Sequence, residues 1–276
     1  PGDKSISQRI LIIGSLLNCD LKISGFLDAE DPNSTMMALN NLGSSIKKDN
    51  DIVSISQRSK PFSNPSSCLN LGNSGTGMRL LTGFISGLNI VATLTGDDSL
   101  TKRPMSRVVD PLTAMGKEIS TNSGKAPIQI HGGNIKDNFE YVMPMASAQV
   151  KSSLMLAALT SGNSIKITES KITRDHTERM IGYLGGSLEV SESSEGKTIF
   201  LKNSKLSKIS TYEVVGDFSS SAFIIVAALI SKNSEVLIKN VGLNKTRSGL
   251  LEVLLIMNAN IEIVNKTKTC NEDCGD

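Results

Sequence analysis

Hydrophobic and polar positions in this chain follow one pattern four times over. Each round opens with small polar residues, near Ser5, Ser74, Ser147 and Ser219. An apolar run at helical spacing follows, then a short β-branched run, then a second helical run that stops at Gly or Asn. The stops fall at Leu42-Gly43, Met115-Gly116, Leu184-Gly185 and Met257-Asn258. A period of about 70 residues constrains a fold more than any single motif does.

The pattern predicts first helices over Ile10–Leu17, Leu80–Ser86, Val150–Leu159 and Ala222–Ile230. It predicts strands over Leu21–Phe26, Ile90–Thr95, Ser164–Thr168 and Glu235–Val241. In the third round, Thr173 or Asp175 is placed to cap a second helix ending at Leu184. Leu188–Val190 and Thr198–Leu201 then read as a closing hairpin. The unit is helix, strand, helix and two strands, with a strand from the preceding unit completing a sheet. The run from Phe223 to Ile230 is apolar on every side, which predicts a buried helix. The expected class is therefore α/β (α+β), built of repeated βαβαββ-type units with buried helices surrounded by sheets. Lys202–Tyr212 is polar and rich in Ser and Lys. It suggests a three-repeat domain over residues 1–210 and the first repeat of a second domain over 211–276.

Composition narrows the function. Apolar content is 39% and charged content 20%, as in ordinary globular proteins. Aromatic content of 4% with no Trp leaves few platforms for stacking nucleic-acid bases. A net charge of +2 argues against bulk nucleic-acid binding yet permits a local basic pocket for a small polyanion. Cys19, Cys68, Cys270 and Cys274 are scattered and read as reduced thiols of a cytoplasmic protein. With His131 and His176 they form no metal-ligand spacing, so no metal is expected. No apolar run reaches the roughly 18 residues that span a bilayer. The start at Pro1 and the end in Cys-Asn-Glu-Asp-Cys-Gly-Asp both read as cut.

The candidate chemistry sits at the starts of the helices. Free backbone N–H groups and the positive end of the helix dipole favour anions there. The segment Pro1–Arg9 adds Lys4 and Arg9 to one such start. Gly72-Asn73-Ser74-Gly75-Thr76-Gly77 brings backbone close to a ligand, although it is neither a Walker A loop nor a dinucleotide fingerprint. A plain turn before a buried helix is the alternative for that loop. Arg103, between Lys102 and Arg107, suits bidentate binding of carboxylate or phosphate, or a solvated helix start. Asp175, His176 and Glu178 form either a proton-transfer group or a capped helix start with surface ion pairs. Convergence of several such starts suits a substrate with more than one phosphate or carboxylate.

Six motifs come in a familiar order. They are Pro1–Ser5, Gly72–Thr76, Gly96–Leu100 with Arg103-Pro104-Met105, Ser147–Ser152, Thr173–Glu178 and Gly216–Ser220. With them the chain resembles the 5-enolpyruvylshikimate-3-phosphate synthase family over essentially its whole length. The resemblance implies two domains of three repeats each, with a cleft between them, of which about four repeats are present here. It implies transfer of an enolpyruvyl group from phosphoenolpyruvate to the 5-hydroxyl of shikimate 3-phosphate, releasing phosphate, on the route to chorismate and aromatic amino acids.

Carried over residue by residue, the resemblance implies that Lys4, Ser5, Arg9, Ser147, Ala148, Gln149 and Arg174 bind shikimate 3-phosphate. Lys4, Gly75, Arg103 and Gln149 would meet phosphoenolpyruvate, and Lys4 would be the catalytic residue within this chain. Asn73, Thr76 and Arg79 would shape the loop, and Asp217 would cap a helix or touch substrate. No cofactor is implied, and the partners are the two small substrates, with a monomer expected for the complete protein and no nucleic acid or membrane. Gln8 departs from the His or Asn of many members. The principal acid and base would lie outside the chain, so the 276 residues alone are expected to be inactive. Glyphosate sensitivity of the complete enzyme is implied by Gly75, where an Ala methyl would intrude. The alternatives are a transferase acting on UDP-N-acetylglucosamine, which carries Lys-Asn and a reactive loop Cys, and a non-catalytic anion-binding module.

Overall fold

The structure, a computed structural model, describes residues 1–194 and 196–276. Its order follows the four rounds of the sequence. The first holds α1 (Lys4–Leu16), β1 (Leu21–Ser24), α2 (Glu30–Asn41), β2 (Ser45–Asp49) and β3 (Ile52–Ser56). The second holds β4 (Leu69–Asn70), α3 (Gly75–Ser86), β5 (Ala92–Thr95), α4 (Ser106–Ala114), β6 (Ile119–Asn122) and β7 (Lys125–Ile130). The third holds β8 (Phe139–Met143), α5 (Ala148–Ser161), β9 (Ile165–Glu169), α6 (His176–Tyr183), β10 (Leu188–Ser193) and β11 (Gly196–Leu201). The fourth holds β12 (Thr211–Glu213), α7 (Phe218–Ile230), β13 (Val241–Gly242), α8 (Gly249–Ile256), β14 (Thr267–Thr269) and β15 (Glu272–Gly275).

The helix boundaries follow from capping chemistry. Asp3, Ser74, Ser147 and Asp217 are the N-caps of α1, α3, α5 and α7, and each side chain accepts a first-turn N–H. The second helices end at C-caps Leu42, Met115, Leu184 and Met257. Behind them Gly43, Gly116, Gly185 and Asn258 take positive φ, which closes a helix C-terminus without a Cβ clash at the glycines. Asp175 stands at the N-cap position of α6 without a side-chain cap bond. Thr173 instead donates its hydroxyl to Glu169 at 2.7 Å.

Units two and three each form a four-stranded sheet, in the orders β4-β5-β7-β6 and β8-β9-β11-β10. In both, the strand entering the unit lies parallel to the strand after the first helix. In unit one that place is taken by β12, which pairs parallel with β1 across Lys22 and Thr211. The chain therefore closes the first sheet only after completing the third. Helices α1, α3 and α5 are buried between the sheets. Gly83 allows the close approach of α3 and α5, since a Cβ there would stand 2.0 Å from the Ser153 carbonyl oxygen.

Two expectations fail in the fourth unit. The strand expected over Glu235–Val241 is confined to Val241–Gly242, which pairs antiparallel with β15. No strand pairs with 235–239 among the described residues, and extended chain without a partner is not a strand. Helix α7 is also not buried as its composition predicts. Phe223 is 79% and Ile230 80% exposed, since Phe218 and Ser221 are the buried residues of this helix and Ile225 is only partly covered. A small second core of Phe218, Val241 and Leu251 lies in the fourth unit, while Cys274 of β15 joins the large core built mainly by the first three.

Candidate anion-binding cleft

Helix starts from different units open onto one cavity of about 450 Å³. Helix α1 contributes Ser5 and Arg9, α3 contributes Thr76, and the start of α5 contributes Ser147, Ala148 and Gln149. Thr173 and Arg174 reach it from the segment ahead of α6, and Thr246 from the segment ahead of α8. The Ser147 hydroxyl caps α5 by accepting from Val150 N at 3.4 Å. The positive end of the α5 dipole therefore points into the cavity.

Arg9 is held from three sides. Its Nε donates to Thr177 Oγ1 at 2.8 Å, Nη2 to Ser152 Oγ at 2.9 Å and Nη1 to the Ser5 carbonyl at 3.0 Å. Burial lowers its pKa to about 10, and the opposing pull of Glu178 and Asp3 does not offset that. Arg174 is also pushed down, first by burial and next by Arg247. At both cations burial outweighs the pull of nearby carboxylates, and an anion in the cavity would act against that burial.

Gln149 links the cavity to the glycine-rich loop. It accepts from Arg79 Nη1 at 2.9 Å and donates to Thr76 Oγ1 at 2.8 Å. Arg79 also donates to the Gly75 carbonyl at 3.3 Å. Arg103 reaches the same loop, donating to the Asn73 side chain, which in turn donates to Asp97 at 2.8 Å. A Cβ on Gly75 would stand 2.9 Å from Arg103 Nη1 and 3.1 Å from Arg79 Nη1.

The sequence-predicted residues divide into two groups. Ser5, Arg9, Ser147, Ala148, Gln149 and Arg174 meet at the cavity. Gly75 and Arg103 meet each other beside it and do not line it. Lys4 is turned to Asp31, with Nζ 3.2 Å from Oδ2. The α6 start matches neither alternative as stated, because Asp175 makes no side-chain cap bond and most of the paired side chains are buried rather than at the surface. Arg179 meets Asp175 at 3.0 Å, Lys151 meets Glu178 at 2.6 Å and His176 meets Glu272 at 2.7 Å. None of Asp175, His176 and Glu178 lines the cavity.

Asp217 is occupied as a cap. It accepts from Ser219 N at 2.7 Å, from Lys4 N at 3.2 Å and from Arg247 Nη2 at 3.2 Å. Sequence reasoning missed Arg247, and the repeat itself carries the signal. Arg247 precedes the C-cap Met257 by the same distance as Arg174 precedes the C-cap Leu184.

The family model described as EPSP synthase (3-phosphoshikimate 1-carboxyvinyltransferase) matches residues 1–273. The chain belongs to the EPSP synthase family. A 3-phosphoshikimate 1-carboxyvinyltransferase of Petrotoga mobilis is 45% identical over 281 residues, covering 100% of this chain and 64% of the relative. One from Streptococcus pyogenes is 44% identical over 271 residues, covering 96% of this chain and 62% of the relative. The solved EPSP synthase of Acinetobacter baumannii superposes with a TM-score of 0.88 at 36% identity, covering 100% of this chain and 62% of that one. The chain thus spans under two thirds of the length of these EPSP synthases, and within that length it carries the mixed α/β fold. Among the described residues no helix is long and apolar enough to cross a membrane.

Proposed function

We propose that this chain carries the shikimate 3-phosphate-binding wall of a 3-phosphoshikimate 1-carboxyvinyltransferase. The reaction moves the enolpyruvyl group of phosphoenolpyruvate to the 5-hydroxyl of shikimate 3-phosphate and releases phosphate. The observation that carries this reading is the cavity where Ser147, Ala148 and Gln149 open helix α5 beside Arg9 and Arg174. A phosphate seated there meets backbone N–H donors, a hydroxyl and two guanidinium groups at once. Its negative charge would also act against the burial that depresses Arg9 and Arg174.

In this reading Gly75 and Arg103 belong to a neighbouring phosphoenolpyruvate site, with Gln149 shared between the two. Lys4 would leave Asp31 to lie between the two anions. The chain's own contribution to the reaction is positioning and charge compensation. Residues 1–210 would form one domain and 211–276 the opening of the next, with β12 crossing back to the first. The sister reaction on UDP-N-acetylglucosamine finds less support: Lys4 is followed by Ser5, and none of the four free cysteines lines the cavity.

Thermal unfolding with and without ligand tests the phosphate site. Shikimate 3-phosphate should raise the midpoint, while unphosphorylated shikimate at the same concentration should leave it near that of the free protein. Equal shifts from the two compounds, or no shift from the phosphate ester, would remove the basis for the reading.

A further inference from the structure

Arg247 sits just ahead of α8 with its side chain only 10% exposed. It ties together residues far apart in sequence. Nη2 meets Asp217 Oδ1 at 3.2 Å and Ser219 Oγ at 2.5 Å, both at the start of α7. Nη1 donates to Ser5 Oγ at 3.2 Å and lies 3.5 Å from Asp3 Oδ2, both at the start of α1. The segment that presents it is itself fixed. Asn244 accepts from Thr246 N at 2.9 Å and Thr246 Oγ1 at 2.7 Å, and donates to Asp175 Oδ1 at 2.6 Å. The fourth unit is thereby anchored on the third, and Arg247 is aimed at the first.

The contact with Ser5 has a directional consequence. A guanidinium can only donate, so Ser5 Oγ must be the acceptor. The single Ser5 hydroxyl proton is then left free to donate elsewhere. Ser5 lines the cavity, and its Oγ takes no other partner among the described residues. We propose that Arg247 is a positioning residue which, by occupying one of the two acceptor lone pairs of Ser5 Oγ, orients that hydroxyl so that its proton is presented to the cleft. A ligand oxygen that accepts, such as one of a phosphate or carboxylate, is then favoured at that point. Asp3 and Asp217 hold the guanidinium in place, so the selectivity of the first unit depends on a residue of the fourth. This deepens the shikimate 3-phosphate reading and rests on it for the identity of the ligand.

A double-mutant cycle by calorimetry tests the assignment, using Ser5→Ala, Arg247→Gln and the pair. Ser5→Ala should weaken shikimate 3-phosphate binding roughly ten- to a hundredfold, the worth of one hydrogen bond to a charged group. Arg247→Gln should weaken it to a similar degree with Ser5 present and by less than about twofold with Ser5 absent. Arg247→Lys keeps the charge beside Asp3 and Asp217 but lacks the planar fork that serves both helices. It should unfold near the wild-type temperature and still bind severalfold more weakly. Equal weakening by Arg247→Gln in both backgrounds marks a merely structural residue and overturns the proposal, as does unchanged affinity with Ser5 present. If the wild-type chain does not bind shikimate 3-phosphate, the functional reading fails by itself. The cycle is then read with inorganic phosphate. Non-additive loss supports the role of Arg247, and additive loss or no binding rejects it.

Discussion

The Lys151 ammonium stands 2.6 Å from Glu178 Oε1 in a region closed to solvent, the lysine being 0% exposed. The same nitrogen meets Glu169 Oε1 at 3.1 Å. Glu169 in turn accepts from the Thr173 amide at 3.2 Å and from its hydroxyl at 2.7 Å, which fixes the segment bearing Arg174. One buried cation thus holds two carboxylates and, through one of them, an edge of the cleft. Replacing Lys151 by Met leaves those carboxylates without their counter-charge. Removing one partner of a buried pair costs about 3–5 kcal/mol, so urea unfolding of Lys151→Met should show a loss of that order. A loss below about 1 kcal/mol would mean that the carboxylates find another partner or take up protons easily.

Arg9 gives the cleft an alkaline limit. Its pKa of about 10 lies below the ordinary arginine value because burial disfavours the charged form. For stability, that burial penalty is present in full below the folded value. It is relieved as pH rises from there towards the unfolded value. Anion binding runs the other way and is lost as Arg9 discharges. Affinity for shikimate 3-phosphate should therefore fall as pH passes about 10. Arg9→Lys carries an ammonium whose ordinary value is about 10.4, subject to the same burial, so its loss of affinity should begin at lower pH. Identical alkaline limbs in the two proteins would assign the loss to another group.

Gly75 reports on the loop beside the cleft. The methyl of an alanine would press on Arg103 Nη1 and Arg79 Nη1, both at the far ends of flexible side chains. The fold should absorb this with a change of about 0.5 kcal/mol or less. Phosphoenolpyruvate affinity should fall roughly tenfold as the guanidinium groups move. Glyphosate, with its longer backbone, should lose more. Titrations of Gly75→Ala with both compounds, in the presence of shikimate 3-phosphate, check the order, and equal losses would remove the steric explanation.

The exposed face of the fourth unit has a solution consequence. Phe223 and Ile230 on α7, Ile256 on α8 and its C-cap Met257 are each 70% or more exposed. Apolar surface of this kind favours dye binding and self-association. The chain should bind a hydrophobic fluorescent dye and sediment with a concentration-dependent mass. A Phe223→Glu, Ile230→Lys variant should do both less. A wild-type chain that ignores the dye and stays monomeric at high concentration would contradict the exposure.

Much of this was legible in the sequence because it is local. The C-caps at Leu42, Met115, Leu184 and Met257 follow from the residue behind each, and the N-cap bonds of Asp3, Ser74, Ser147 and Asp217 from short-range chemistry. What escaped was long-range. The return of β12 to β1 joins residues about 190 apart, and no periodicity announces it. The burial of α7 was inferred from composition, but burial requires a neighbour, which composition does not supply. The cleft residues of the third unit were found through their motif. Arg247 lies outside any motif and becomes visible only when the fourth repeat is laid over the third.

The most direct test of the cleft is a calorimetric titration of the chain with shikimate 3-phosphate and, separately, with UDP-N-acetylglucosamine. Saturable binding of shikimate 3-phosphate, weakened at least tenfold by Arg174→Ala, with no heat from the nucleotide sugar, is the expected result. Absence of shikimate 3-phosphate binding, or equal binding of the two compounds, would contradict the assignment of the α5 start to that phosphate.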